Sequence, residues 1–174
     1  MEIEFELEMK DWMELQKNHL NNSKQVRKSK IISTWMLPVL ISVLMLKDII
    51  NGYNLDPLRF ILFGILAILW VLYIPKGMMK RMLNSSRKML LEGDNSGIFG
   101  IHKMSFNDEG FVHFEPESEN KIKWTAIKKL EATETHYFLY NTGMSAIIIP
   151  KYKIGNEVNS LDIILKNNIV SRVN

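Results

Sequence analysis

The first residues of the chain alternate between charged and apolar side chains. The apolar Ile3, Phe5 and Leu7 are interleaved with the glutamates Glu2, Glu4, Glu6 and Glu8. A period of two residues is typical of a strand with one buried face and one solvated face. Carboxylates in a line do not converge on a cation, so a calcium site is the weaker interpretation. The pattern predicts a strand within residues 1–10.

A helical pattern replaces this alternation at Asp11. Asp11 and Glu14 have the spacing of an N-terminal capping box. Side chains then recur at helical intervals, at Trp12, Leu15, Gln16, His19 and Leu20. The sequence therefore predicts a helix that begins at about Asp11, and residues 1–30 form an N-terminal segment of one strand and one helix.

Two long apolar segments occupy the middle of the chain. Residues 31–50 form the first, and residues 57–74 form the second, which begins with the favourable helix start Asp56 and Pro57. The second segment is apolar on every side, and such a helix must contact lipid or lie inside a large core. A chain of 174 residues does not provide that core. The sequence predicts a transmembrane helical hairpin within residues 31–75.

Basic side chains bracket this hairpin, whereas the connector between its helices balances its charges. This bias predicts that both termini are cytoplasmic. Residues 76–97 are predicted to be a basic amphipathic helix and a linker, and the basic flanks can contact anionic headgroups. The alternative is that these charges only set topology during insertion. The predicted membrane-surface residues are Lys24, Arg27, Lys28, Lys30, Lys76, Lys80, Arg81, Arg87 and Lys88.

The last part of the chain has the pattern of β structure. Apolar runs separated by turn residues predict strands over 98–106, 111–115, 121–133, 137–140 and 145–149. A polar turn is predicted at residues 117–120. Apolar residues at helical spacing predict a final helix, at Val158, Leu161, Ile164, Leu165 and Ile169. A lone strand leaves its backbone groups unpaired, so we expect residues 1–10 to join this sheet.

The order of these elements resembles a known family, the YcxB-like proteins of bacteria. The resemblance is carried by KWTAIKKLEATETHYFLYN and AIIIPKYKIG, which lie between the predicted spans and the last helix. It implies that residues 98–174 look like a small pleckstrin-homology-type barrel capped by a helix. The implied fold class is α+β, with a two-helix transmembrane hairpin inserted into a small antiparallel PH-like β-barrel. The family offers no established activity to carry over, and it implies a bacterial cytoplasmic membrane.

Candidate chemistry is sparse in this sequence. The four histidines lie in different predicted elements without metal-ligand spacing, at His19, His102, His113 and His136. His102 and His113 could meet across the first hairpin of the β domain, where we expect a surface pair. The absence of cysteine excludes disulfides and thiolate metal sites. We predict no enzyme, no catalytic, cofactor-binding or metal residues, and no cofactor.

The remaining functional hypotheses are interaction roles at a membrane. We expect a membrane-anchored cytoplasmic module that binds a protein, a peptide or a lipid headgroup, with the bilayer and a membrane protein or a second copy as partners. Nucleic acid is not expected, because residues 89–174 carry more acidic than basic side chains. The alternative is an accessory or regulatory subunit of a larger membrane complex. Its helix packing would use the small residues Ser33, Thr34, Ser42, Gly64 and Ala67.

Overall fold

The computed structural model describes residues 1–53, 56–93, 96–143 and 145–169. The chain divides into two compact units, one made of residues 1–17 with residue 89 onward and one made of residues 18–88. The first unit combines antiparallel sheets with helices, and the second is helical. The predicted α+β class is confirmed at this level.

The first unit contains two antiparallel sheets. The four-stranded sheet is built, in this order, from β1 (Glu2–Leu7), β2 (Gly100–Phe106), β3 (Gly110–Glu115) and β4 (Ser118–Lys123). The three-stranded sheet is built from β5 (Lys129–Ala132), β6 (His136–Tyr140) and β7 (Ala146–Pro150). Strands β4 and β7 are therefore each at an edge of their sheet. Within the described residues the strand ladders do not close into one barrel.

Strand β1 joins the sheet from the other side of the helical hairpin. It pairs antiparallel with β2, from Glu2 opposite Ser105 to Leu7 opposite Gly100. Its apolar residues Ile3, Phe5 and Leu7 are buried, whereas the glutamates between them are exposed. The prediction that residues 1–10 complete the C-terminal sheet is confirmed.

The predicted single strand over 121–133 is wrong. Strand β4 ends at Lys123, a short 3-10 turn covers Trp124–Ala126, and β5 begins at Lys129. The Trp124 side chain enters the core, and its indole N–H donates to the Asn107 carbonyl at 3.1 Å. Its backbone N–H donates to the Glu109 carbonyl, also at 3.1 Å. These contacts turn the chain out of the first sheet at Trp124.

The predicted turn at residues 117–120 is also wrong, because most of it is strand. Strand β4 begins at Ser118, which pairs with Glu115 across a two-residue loop. The Ser118 hydroxyl donates to the Glu115 carboxylate at 2.6 Å, and the Asn120 amide donates to it at 3.3 Å. The polar side chains are therefore cross-strand partners rather than loop residues.

Two helices contribute to this unit. Helix α1 spans Met9–Asn22, and α4 spans Glu157–Asn168. The helix predicted to begin at about Asp11 is present and begins two residues earlier, at Met9. The Asp11 carboxylate accepts the Glu8 backbone N–H at 2.9 Å and so caps the helix from its first turn. The predicted final helix is confirmed. It buries Leu161 and Leu165 in the core.

The second unit contains two long apolar helices. Helix α2 spans Lys24–Ile50, and α3 spans Pro57–Glu92 and continues through Pro75. The Trp70 indole N–H of α3 donates to the Ser33 carbonyl of α2 at 3.0 Å. Both helices are long and apolar enough to cross a membrane, and their apolar windows are not buried within the described residues. Apolar helices that the chain itself leaves unburied are compatible with the predicted membrane spans.

Candidate functional site

A groove of about 860 Å³ lies in the sheet-containing unit. Its floor is the inner face of the first sheet, and β4 and the start of β7 both line it. Helix α1 contributes Trp12, Leu15 and Gln16. We call this feature the inter-sheet groove. Polar and titratable side chains converge there beside an open volume.

The inner face of the first sheet changes from apolar to polar along the strands. Alternate residues of a strand point to the same face. At one end of β2 and β3 that face carries the buried Met104, Phe106 and Phe111. At the other end it carries polar side chains that line the groove, at His102, His113, Glu115, Ser118 and Asn120. The polar end is the candidate site.

The two histidines of this site contact each other. His102 Nδ1 and His113 Nε2 are 3.0 Å apart, and the residues are 2% and 4% exposed. The His102 ring also stacks on Phe5, with ring centroids 5.7 Å apart. The prediction that they could meet across the hairpin is confirmed, but the expectation of a surface pair is wrong. Both rings face inward because His102 shares its strand face with Met104, and His113 shares its own with Phe111.

Hydrogen bonding assigns the ring protons of the pair. His102 Nε2 lies 3.0 Å from the Ile98 carbonyl, which only accepts, so this nitrogen carries a proton. In the neutral ring Nδ1 is then the acceptor, and His113 Nε2 donates to it. The lone pair of His113 Nδ1 consequently faces Glu115 Oε1 at 3.5 Å. Two acceptors in that position favour a shared proton or cation between them.

Burial lowers the pKa of both histidines. Desolvation is the largest cause for His102, opposed by its hydrogen bond to Ile98 and by the Glu115 charge. Desolvation also lowers the pKa of His113 to about 4, with His102 adding to the effect and Glu115 opposing it. Both rings are therefore neutral at pH 7. A neutral imidazole has a lone pair that can bind a proton donor or a metal ion.

The Glu115 carboxylate is held in place by the neighbouring strand. Ser118 and Asn120 both donate to its Oε2, which leaves Oε1 toward His113. Glu117 and Lys121 also line the groove. With two carboxylates against one ammonium group, the groove is more attractive to cationic or neutral ligands than to anions.

A second polar cluster surrounds the fully buried Asp11. Its Oδ1 accepts from His136 Nε2 at 3.1 Å and from the Tyr152 hydroxyl. Its Oδ2 accepts from the Glu8 backbone and from Lys153 Nζ at 3.3 Å. Burial raises the pKa of Asp11, but the hydrogen bonds from Tyr152, Glu8 and His136 and the Lys153 charge outweigh it and hold the pKa below its usual value. This cluster ties α1 to β6 and to the turn after β7.

The predicted membrane-surface residues lie in the other unit. All of them are exposed on α2 or α3. The Ser33–Trp70 hydrogen bond aligns the two helices, so Lys30 before Ser33 and Lys76 after Trp70 lie toward the same end of the hairpin. The helices therefore bring the two basic flanks to one end. Contact with headgroups stays a prediction.

The meeting of His102 and His113 was anticipated from the sequence, but their burial and the addition of Glu115 were missed, although a signal existed. Phe106 and Phe111 pair across the β2–β3 turn. Counting outward from that pair places His113 opposite Met104. Because alternate residues of a strand share a face, this register places His102, His113 and Glu115 on the inner face of the sheet. There the two histidines are buried and the three side chains converge.

One protein-family model matches part of the chain. A family model described as YcxB-like protein matches residues 106–157. The predicted resemblance is confirmed. The YcxB-like segment runs from the last residue of β2 to the first of α4, so it includes His113 and Glu115 but not His102. No curated protein and no solved structure matches the chain significantly.

Proposed function

We propose that the protein is a membrane-anchored interaction module whose inter-sheet groove binds an extended peptide segment of a protein partner. The observation that carries this proposal is that an edge strand, β4, lines the groove together with the start of β7. An edge strand offers unpaired backbone N–H and C=O groups, with which an added strand can form main-chain hydrogen bonds. Neighbouring side-chain pockets then supply specificity.

The side chains of the groove suit a peptide better than a lipid phosphate. Ala146, Ile147 and Ile148 form an apolar wall, and the polar end of the first sheet lies across from it. Glu115 and Glu117 would repel a phosphate that Lys121 alone attracts. A peptide with apolar side chains and a neutral or basic group would complement both the apolar wall and the polar end of the first sheet.

The membrane anchor in this proposal is the helical hairpin. The exposed apolar helices are compatible with lipid contact, and the pairing of β1 with β2 requires the chain to return to the side from which it left. Two crossings satisfy that requirement. Together with the basic flanks, this supports a bacterial cytoplasmic membrane location with both termini cytoplasmic.

A PH-like barrel is the finer fold that we include in the proposal. Strand β1 lies against β7, so the two sheets adjoin at that edge. Helix α4 covers the core with Leu161 and Leu165. Both features support a barrel-like arrangement that is open along the groove, and the opening is where the partner segment would add.

Site-specific photo-crosslinking in membranes tests the proposal. A photoreactive amino acid replaces Asn120, which lines the groove, and the matched control replaces Phe114 on the opposite face of the same sheet. We expect a protein adduct of defined mass at Asn120 and not at Phe114. A third reporter replaces the exposed Gly64 of α3.

The outcomes separate the competing roles. Lipid adducts at Asn120 would favour a headgroup module. A protein adduct confined to Gly64 would favour the accessory subunit of a membrane complex. Equal labelling of Asn120 and Phe114 would contradict a groove-specific partner.

A further inference from the structure

We propose that His102, His113 and Glu115 form a binding site for a divalent transition-metal ion of the zinc class. The site lies at the polar end of the inter-sheet groove. This inference goes beyond the peptide-binding role and does not depend on it.

The donor atoms of these residues already converge. One ligand atom from each of the three lies within 4.8 Å of the other two. His102 Nδ1 and His113 Nε2 are 3.0 Å apart, and two nitrogen ligands on a tetrahedral zinc ion, each at ~2.0 Å, are separated by ~3.3 Å. To admit the ion, the rings must separate by a few tenths of an ångström and rotate so that both nitrogens point at it, and the His113 Nε2 proton must leave or move to Nδ1.

The surrounding hydrogen bonds orient two of the three ligands, His102 and Glu115, toward the site. The Ile98 carbonyl accepts from His102 Nε2 and so directs Nδ1 toward the site. Such a carbonyl behind a ligating histidine fixes both tautomer and ring orientation. Ser118 and Asn120 hold the other oxygen of Glu115, which leaves Oε1 free to bind.

The donor set selects the class of ion. Two imidazoles and a carboxylate suit zinc and the neighbouring divalent transition metals. Calcium and magnesium prefer oxygen ligands throughout, so they fit this set poorly. All three residues line the groove, which would give the ion a path from solvent.

A purely structural role of the histidine pair is the competing explanation. The pair is already hydrogen-bonded, and the described residues contain no buried side-chain nitrogen or oxygen without a partner. The structural role predicts that added metal changes nothing at His102 and His113. The metal site predicts saturable binding there.

Metal titration of the full-length protein in detergent tests the site. After chelator treatment, zinc binding is followed by calorimetry and by thermal unfolding, and cobalt binding by paramagnetic NMR shifts. We expect one ion per chain, a zinc-dependent rise in Tm, and cobalt-shifted ring protons of His102 and His113. The rise in Tm follows because zinc binds the folded state preferentially.

Variants assign the ligands. The double variant His102→Gln/His113→Gln should lose binding, and Glu115→Gln should weaken Kd by at least about tenfold. The matched control His19→Gln changes a histidine on α1 outside the groove lining and should bind as the parent does. If the double variant fails to fold, the cobalt shifts of the parent protein and the Glu115→Gln titration decide whether these residues bind the metal. No saturable zinc binding, or cobalt shifts confined to His19 or His136, would overturn the proposal.

Discussion

Phe5 and His102 are cross-strand partners whose rings stack at 5.7 Å, although the whole helical hairpin separates them along the chain. The contact places the N-terminal strand inside a domain that the rest of the chain completes only after the hairpin. The domain therefore folds from two sequence segments, and its first sheet is complete only when β1 has joined β2.

Removing the Phe5 ring should destabilise the sheet-containing unit. Phe5 is 4% exposed, and truncation of a buried phenylalanine costs about 3–5 kcal/mol. We expect Phe5→Ala to lower the free energy of unfolding by that amount in chemical denaturation followed by near-UV circular dichroism. Glu4→Ala, on the exposed face of the same strand, is the control. Equal stability of the two variants would show that β1 is dispensable.

The two segments should fold together without the hairpin. A fragment of residues 89–174 lacks β1 and α1, so it should give a poorly dispersed NMR spectrum. Joining residues 1–17 to this fragment through a flexible linker restores both elements of the compact unit and should yield a folded domain. If the shorter fragment has the same spectrum and Tm as the linked one, the split-domain interpretation is wrong.

The Asp11 cluster should contribute stability above acidic pH. The pKa of Asp11 is held low in the folded state, so its contribution is full above the unfolded value of ~3.9 and is lost as pH falls through the folded pKa. Asp11→Asn should cost about 3 kcal/mol at pH 7, because it weakens the hydrogen bonds to Tyr152 and Lys153. Urea unfolding at pH 7 and pH 3 measures both effects. Asp108→Asn, on an exposed turn, is the control; equal losses in the two variants would contradict the cluster's role.

The basic flank after Pro75 should hold the chain near anionic lipid. Each cation near such a surface contributes about 1 kcal/mol. Neutralising Lys80, Arg81, Arg87 and Lys88 together should leave insertion intact and increase protease cleavage within residues 93–97, a segment of which residues 94–95 lie outside the described residues. Vesicles with and without anionic lipid provide the comparison. Unchanged cleavage in both would leave the cations only a role in topology.

Elements with regular periodicity could be predicted from the sequence. The alternation around Phe5 specifies a strand with one buried face, and the apolar runs of α2 and α3 specify long helices that are compatible with lipid contact. The spacing of Leu161 and Leu165 likewise predicts α4. In β1 and α4 the pattern records which face is buried, and in α2 and α3 the length of the apolar run indicates the helix.

The remaining features depend on contacts between distant parts of the chain. Strand β4 ends before Trp124 because the indole and backbone N–H groups of Trp124 donate hydrogen bonds to the β2–β3 turn. A local sequence pattern does not encode such a distant contact. Asp11 caps α1 locally, but its buried cluster with His136 and Tyr152 joins parts of the chain that a local pattern does not connect. His102 and His113 look polar in sequence, and only the register of the hairpin shows that they are buried together.

Single-cysteine labelling in intact cells tests the central claim, a bilayer-spanning hairpin that returns both flanks to the cytoplasm. The chain has no native cysteine, so reporters at Tyr53 between the helices and at Asp108 in the β2–β3 turn give clean signals. Both positions are exposed in the structure. An impermeant thiol reagent should label Tyr53→Cys in intact cells and Asp108→Cys only after the membrane is permeabilised. Labelling of Asp108→Cys in intact cells with protection of Tyr53→Cys would contradict the account.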